Sequence, residues 1–196
     1  MTYQTYVHGV VTTFVLAVLT LTSGCAATAV GTGAASVTAV VDRRTTGTII
    51  DDEIIEIKAM TSLGEEQDLA EQTHLSVTSF NGITLLSGEA PSESMKARAG
   101  EIVQRIRKVR HVYNELTVAA PSSVLSRSND GYLSAKVKSA FLGDANITTN
   151  HVKVVTEAGT VFLMGLLKRR EADLATEVAR RVGGVRRVVK LFEYLD

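Results

Sequence analysis

One pattern is written twice in this 196-residue chain, and it limits the fold to something built from two like units. His74-Leu75-Ser76-Val77 matches His151-Val152-Lys153-Val154 at a separation of 77, and the same separation joins Gly82 to Gly159, Leu86 to Leu163 and Gly88 to Gly165. Downstream the separation is 76, joining Val109 to Val185 and Val112 to Val188. Upstream it reads as 79, joining Asp51 to Asp130, Ile54 to Leu133 and Leu63-Gly64 to Leu142-Gly143.

Each copy carries the same periodicities. Leu133, Val137 and Ala140 recur at helical spacing, with Asp130 as the expected N-cap and Gly143 as the stop. A hairpin follows, turning at Asn81-Gly82 in copy one and at Ala158-Gly159 in copy two. Met95, Ala99, Ile102 and Ile106 mark a second helix, and Val112, Asn114, Leu116 and Val118 alternate as a last strand. A strand–helix–strand passage puts its two strands parallel. The expected fold class is therefore α+β: two tandem αββαβ units, each a three-stranded mixed sheet packed on two helices. Units of this size bury too little surface to be robust alone, so the two are expected to pack together.

The amino terminus has a different character. Residues 1–24 contain no Asp, Glu, Lys or Arg, and Val10–Leu21 is an apolar run too short to span a bilayer. It suits the h-region of a secretory signal, followed by the small residues Thr22-Ser23-Gly24 and then Cys25, the one cysteine of the chain. That thiol has no internal disulfide partner. "TLTSGC" resembles a bacterial lipobox, in which the leader is cut before Cys and the Cys receives diacylglycerol and an amino-terminal acyl group such as palmitate. Thr22 stands where that pattern has Leu. A plain signal peptide with a free thiol, or a retained anchor, is the alternative. Several acyl chains give stable membrane attachment. Ala26 in place of Asp implies, by the enterobacterial sorting rule, the outer membrane, facing the periplasm. The expected divisions are 1–24 leader, 25–48 lipidated terminus and flexible linker, 49–118 first unit, 119–129 connection and 130–196 second unit.

"ITLLSG" (Ile83–Gly88) with "VRHVYNEL" (Val109–Leu116), and "VFLMG" (Val161–Gly165) with "GGVRRV" (Gly183–Val188), resemble the BON domain. Two such domains behind a lipobox resemble the dual BON-domain outer-membrane lipoproteins, with soluble periplasmic osmotic-stress proteins as the nearest variant. The resemblance implies a non-enzymatic envelope protein without cofactor beyond the lipid on Cys25. It implies binding of anionic phospholipid, support of outer-membrane integrity, enrichment at division sites, and links to peptidoglycan amidase regulation and β-barrel assembly.

Composition adds a charge asymmetry. Net charge is zero, with 21 basic and 21 acidic residues, which gives no reason to expect a nucleic-acid partner. Residues 49–118 hold seven basic and twelve acidic groups, whereas 130–196 hold eleven and eight. Copy two is thus the one drawn to an anionic surface. Its cations include the Arg180–Arg187 cluster, for which a solvated face is the plainer reading.

Around its first helix, Tyr132, Lys136, Ser139 and Gly143 line the face opposite Leu133 and Val137, a pairing of ring and amine suited to a membrane interface. The candidate phospholipid-binding set is Asn129, Asp130, Tyr132, Lys136 and Ser139. The equivalent face of copy one is expected to carry Glu53 and Glu56, making it a spacer or, in the alternative reading, an acidic protein-interaction or chaperone-like face. No catalytic constellation stands out: His74 and His151 occupy equivalent places in separate copies, and no G-x-S-x-G elbow occurs. No metal site is expected.

Overall fold

The computed structural model describes residues 42–196. Cys25, the leader and most of the expected linker lie outside them. In order come α1 (Thr46–Glu65), α2 (Gln67–Gln72), β1 (His74–Phe80), β2 (Ile83–Ala90), α3 (Glu93–Gln104), β3 (His111–Asn114) and β4 (Thr117–Val118). The second unit has α4 (Val124–Leu142), a 3₁₀ turn at Thr149–His151, β5 (Val152–Glu157), β6 (Thr160–Leu167), α5 (Arg169–Arg180) and β7 (Arg187–Tyr194).

In each copy the hairpin strands are antiparallel and the strand after the second long helix pairs parallel to the middle one. Copy one departs from the expected αββαβ plan in two ways. It has the extra short helix α2, and its last strand is broken into β3 and β4, both paired to β2. The break follows Asn114, whose Nδ2 donates to the Lys96 carbonyl at 2.7 Å and whose Oδ1 accepts from Leu116 N at 3.4 Å, a local side-chain bond to the backbone beyond the strand. The repeated glycines have a steric cause. A Cβ on Gly88 would collide with the His74 carbonyl oxygen, and one on Gly165 with the His151 carbonyl oxygen.

A buried carboxylate ties each first helix to its hairpin. Both hairpins turn through two residues of positive φ, Asn81 (54°) and Gly82 (73°) in one and Ala158 (46°) and Gly159 (72°) in the other. Two-residue loops of this hand match the twist of the strands they join. Their backbone N–H groups point at an aspartate. Asp52 accepts from Asn81 N and Gly82 N, both at 2.8 Å, and also from Ser79 Oγ at 2.7 Å and Arg44 Nη1 at 2.8 Å. Asp130 accepts from Ala158 N and Gly159 N, both at 2.9 Å.

These bonds correct the register read from sequence. The helix repeat is 78, joining Asp52 to Asp130, Ile55 to Leu133, Ala59 to Val137 and Leu63 to Phe141, all buried. Leu142 and Ile54 therefore point outward. Asp130 is not an N-cap. α4 starts at Val124, where Ser123 Oγ accepts from Ser126 N at 3.3 Å, so Val124–Asn129 is helix and not connection. Nor is the segment from Asp42 to Thr48 a flexible linker. Arg44 binds Asp42 and Asp52, and Thr45 Oγ1 caps α1 by accepting from Thr48 N at 3.1 Å.

The two copies stack sheet to sheet, and residues 42–196 form one compact unit. Strand alternation sends Val77 and Leu86 toward Ala59, Leu63, Ala99 and Val103 of α1 and α3. The other face of that sheet offers Phe80 and Leu85, which pack on Phe162, Met164 and Leu191 of the second sheet. Val161 and Leu163, on the far side of β6, meet Val137, Phe141, Ala175 and Ala179 of α4 and α5. The order of layers is helices, sheet, sheet, helices, with the two first helices on opposite outer faces.

Ion pairs rim the sheet–sheet core. Lys153 Nζ bonds Glu56 at 2.8 Å, and Arg110 meets both Glu193 oxygens at 2.8 and 2.9 Å. Arg43 binds Glu171 through both nitrogens at 2.7 Å and reaches the Leu166 carbonyl at 2.8 Å. The Arg43 guanidinium pulls the Glu171 carboxyl down to about 2. Arg110 lowers Glu193 in the same way. Glu157 goes the other way: burial, then the charges of Glu89 and Asp130, push it up to about 7 against the opposing pull of Arg127.

Two predictions follow from these anchors. Replacing Asp130 by Ala leaves two turn N–H groups unpaired, one buried and one part-buried, so urea unfolding should show a loss of about 2–4 kcal/mol. Asp130→Asn should cost less, because its amide retains one acceptor oxygen. The second concerns pH. Stabilisation from a lowered carboxyl is present above the ordinary value of 4.5 and disappears as pH falls toward about 2, so the deficit of Arg43→Ala should shrink over that interval. Glu157 has a raised value, so its contribution is full below 4.5 and is lost as pH rises through about 7. In thermal melts Glu157→Gln should therefore match the parent at pH 4 and exceed it at pH 8.

Candidate functional site

The outer face of α4 is set by the same register that buries its inner face. With Asp130, Leu133, Val137 and Phe141 turned inward, Tyr132 (66% exposed) and Leu142 (75% exposed) project to solvent. Ser139, Lys138 and Asn129 are exposed beside them. From Gly131 to Gly143 the helix has no acidic residue. This surface pairs an aromatic and an aliphatic side chain with lysines, the combination that suits a headgroup region.

Lys136 is half-buried and held in place. Its Nζ donates to the Gly183 carbonyl at 2.6 Å and lies 5.7 Å from the centroid of the Tyr132 ring. The amine arches from the helix to the loop before β7, close enough to the ring face for a cation–π attraction. Tyr132, Lys136 and Ser139 thus share one surface, with Asn129 at its amino-terminal end. Asp130 does not join them. It is buried and its carboxylate oxygens are occupied by the hairpin turn. Lys138 and Leu142 are exposed on the flank of this face and stand outside the set named from the sequence, which took Ala140 and not Phe141 as the third core position. Phe141 at four residues from Val137 was the signal that marks the true stripe.

The other cations of copy two are partly spoken for. Arg180 pairs with Glu177 at 2.9 Å, Arg187 with Glu115 at 3.5 Å and Lys190 with Asp173 at 3.7 Å. Arg169 stacks on Tyr194 at 4.7 Å. The charge asymmetry counted along the chain is therefore weaker at the surface than the formal totals suggest.

Copy one also differs from expectation. The residue equivalent to Tyr132 is Ile54, and the outermost positions of α1 are apolar. Glu56 is drawn under the helix, where it accepts from Ser79 N at 2.7 Å and from Lys153. Glu53 lies on a flank. His74 opens β1 and His151 closes the 3₁₀ turn of the other copy. Among the described residues no group of three His, Cys, Asp or Glu side chains could hold a metal ion. No helix among them is long and apolar enough to cross a membrane.

Known proteins agree with this architecture. The BON domain matches residues 51–120 and again 129–196. Outer membrane lipoprotein DolP of Haemophilus influenzae is 36% identical over 173 residues, covering 88% of this chain and 90% of the relative. The 21 kDa hemolysin of Actinobacillus pleuropneumoniae is 36% identical over 156 residues, 80% of each chain. Osmotically-inducible protein Y of Escherichia coli is 28% identical over 145 residues, 72% of each. With two matched copies in the αββαβ arrangement, and relatives alike across most of their length, the chain belongs to the BON-domain family.

Proposed function

We propose that this protein is a non-enzymatic outer-membrane lipoprotein, anchored through Cys25 and facing the periplasm, whose second BON copy docks on anionic phospholipid. The observation that carries the docking is the exposed Tyr132 ring with Lys136 fixed beside it, next to Lys138 and Leu142 on an acid-free stretch of α4. Tyrosine at headgroup depth places its ring against the acyl boundary and its hydroxyl in water. Each lysine near an anionic surface contributes on the order of 1 kcal/mol. That is weak alone, but an acyl anchor on the same chain keeps the helix near the membrane and raises its effective concentration there.

The anchor and its membrane are supported by the lipobox-like "TLTSGC" and by the relative named as an outer membrane lipoprotein. A role in envelope integrity or stress draws support from the relative named for osmotic induction. The reading of copy one as an acidic contact face has less behind it, since Asp52 and Glu56 are consumed by internal bonds.

Flotation of the unlipidated Cys25→Ala protein with vesicles tests the docking. Binding should be strong with phosphatidylglycerol and weak with phosphatidylcholine. Tyr132→Glu should abolish it, and Lys136→Ala with Lys138→Ala should weaken partitioning by roughly tenfold or more. Equal binding to both vesicle types, or an inert Tyr132→Glu, would rule the docking out. Mass spectrometry of the membrane-extracted amino terminus tests acylation of Cys25 separately.

A further inference from the structure

The outward face of α1 carries an apolar seam that nothing among the described residues covers. Ile50 is 54% exposed, Ile54 42%, Ile57 65% and Met60 44%. Isoleucine is a costly choice there, because β-branching lowers helix propensity and exposure forfeits the hydrophobic gain. The three isoleucines sit opposite the buried line of Asp52, Ile55, Ala59 and Leu63.

The spacing of the seam is regular. Gly47, Ile50, Ile54, Ile57, Thr61 and Gly64 alternate by three and four residues along α1, and all six are exposed. That is the spacing of the paired positions of a coiled coil. Thr61 folds its hydroxyl back to the Ile57 carbonyl at 2.9 Å, which leaves its methyl to the seam. A Cβ on Gly64 would meet nothing within 4 Å, and one on Gly47 only the Thr45 side chain. Neither glycine is required by packing among the described residues. Both would let a second backbone approach.

The flanks of the seam decide the occupant. Glu53 borders one side and Lys58 the other, both exposed, with the Lys108–Asp51 pair at 2.6 Å beyond Lys58. In a parallel pair of such helices the residue before one seam position faces the partner residue five further on. Glu53 and Lys58 are five apart, so a second copy laid parallel would place each Glu53 against the other chain's Lys58, twice by symmetry. An antiparallel pair would set like flanks together, Glu53 near Glu53 and Lys58 near Lys58. A lipid surface would have to accept Glu53 and face away from the helix that carries Tyr132, since α1 and α4 lie on opposite outer layers.

We propose that α1 is a self-association surface, on which two copies of this protein pair through parallel α1 helices along Gly47–Gly64, with Glu53–Lys58 ion pairs on both sides. Under three heptads of seam buries less than a permanent dimer needs, so the pairing is concentration-dependent. It does not rest on the lipid-docking reading.

Cross-linking tests it in the full chain carrying Cys25→Ser, so that an introduced thiol is the only one. Ile50→Cys and Ile57→Cys should each cross-link to themselves on oxidation. Cross-links that form only when the two variants are mixed mean antiparallel helices and overturn the proposal. Light scattering of the Cys25→Ser chain should show a dimer fraction that rises with concentration. Glu53→Lys or Lys58→Glu alone should weaken it by roughly fivefold, and the double exchange should restore it, as expected of exposed ion pairs. These positions are exposed, so circular dichroism should not change. A monomer at every concentration, or a double exchange no better than the single changes, overturns it. So does an Ile54→Asp variant that loses vesicle binding without any change in mass, which would assign the seam to lipid.

Discussion

The bond between a buried aspartate and a hairpin turn governs what this protein can show to its surroundings. A two-residue turn of positive φ points two N–H groups at the helix, and a carboxylate is the side chain able to accept both. Once Asp52 and Asp130 are fixed against their turns, each helix has one rotational setting. The core then takes Ile55, Ala59 and Leu63 in one copy and Leu133, Val137 and Phe141 in the other. The outward residues are determined by subtraction. A rotation by one residue, about 100°, would bury Tyr132 and expose Leu133.

The second constraint is the pairing of the sheets. Leu85 and Phe80 on one side, with Phe162, Met164 and Leu191 on the other, form a core that neither copy could cover alone. Such burial explains why β6, TVFLMGLL, reads as a nearly continuous apolar run: both faces of its sheet are covered. It also turns the helical layers outward in opposite directions. Charged contacts at the margin, Lys153 with Glu56 and Arg43 with Glu171, add specificity of register more than net stability. The consequence is functional. A face used by α4 on a flat surface leaves α1 pointing away from that surface.

Much of the fold was legible in the residues. The hairpins announced themselves through Asn81-Gly82 and the equivalence of Gly82 with Gly159, because turn chemistry is local. Glycines at 88 and 165 matched because each meets a carbonyl oxygen in the same place. The helices were harder. Asp51 and Asp52 adjoin, and only the hairpin N–H groups select between them, which is a contact about thirty residues away in sequence. Choosing Asp51 shifted the register by one, setting the exposed Ile54 against the buried Leu133 and the exposed Leu142 against the buried Leu63. It also made copy one look acidic on the face that is in fact apolar. Tyr132, Lys136 and Ser139 survived the shift because their own helix was read from Leu133 and Val137, which are buried. Asp130 did not, since a mid-helix carboxylate with a buried partner and an N-cap look alike in one dimension.

The two copies therefore share a frame and differ in what they display. At equivalent outward positions copy one has Ile54 and Thr61, and copy two has Tyr132 and Ser139. A frame that fixes helix rotation so firmly frees the outer positions to change without loss of folding, because they make few contacts within the unit. Surface substitutions on a helix usually alter stability by about half a kcal/mol or less. The exposed isoleucines of α1 and the aromatic–lysine pair of α4 are thus not forced by packing. Each lies where the frame has no use for it, and that placement directs attention to contacts outside the chain: apolar and self-complementary on one side, amphipathic and cationic on the other.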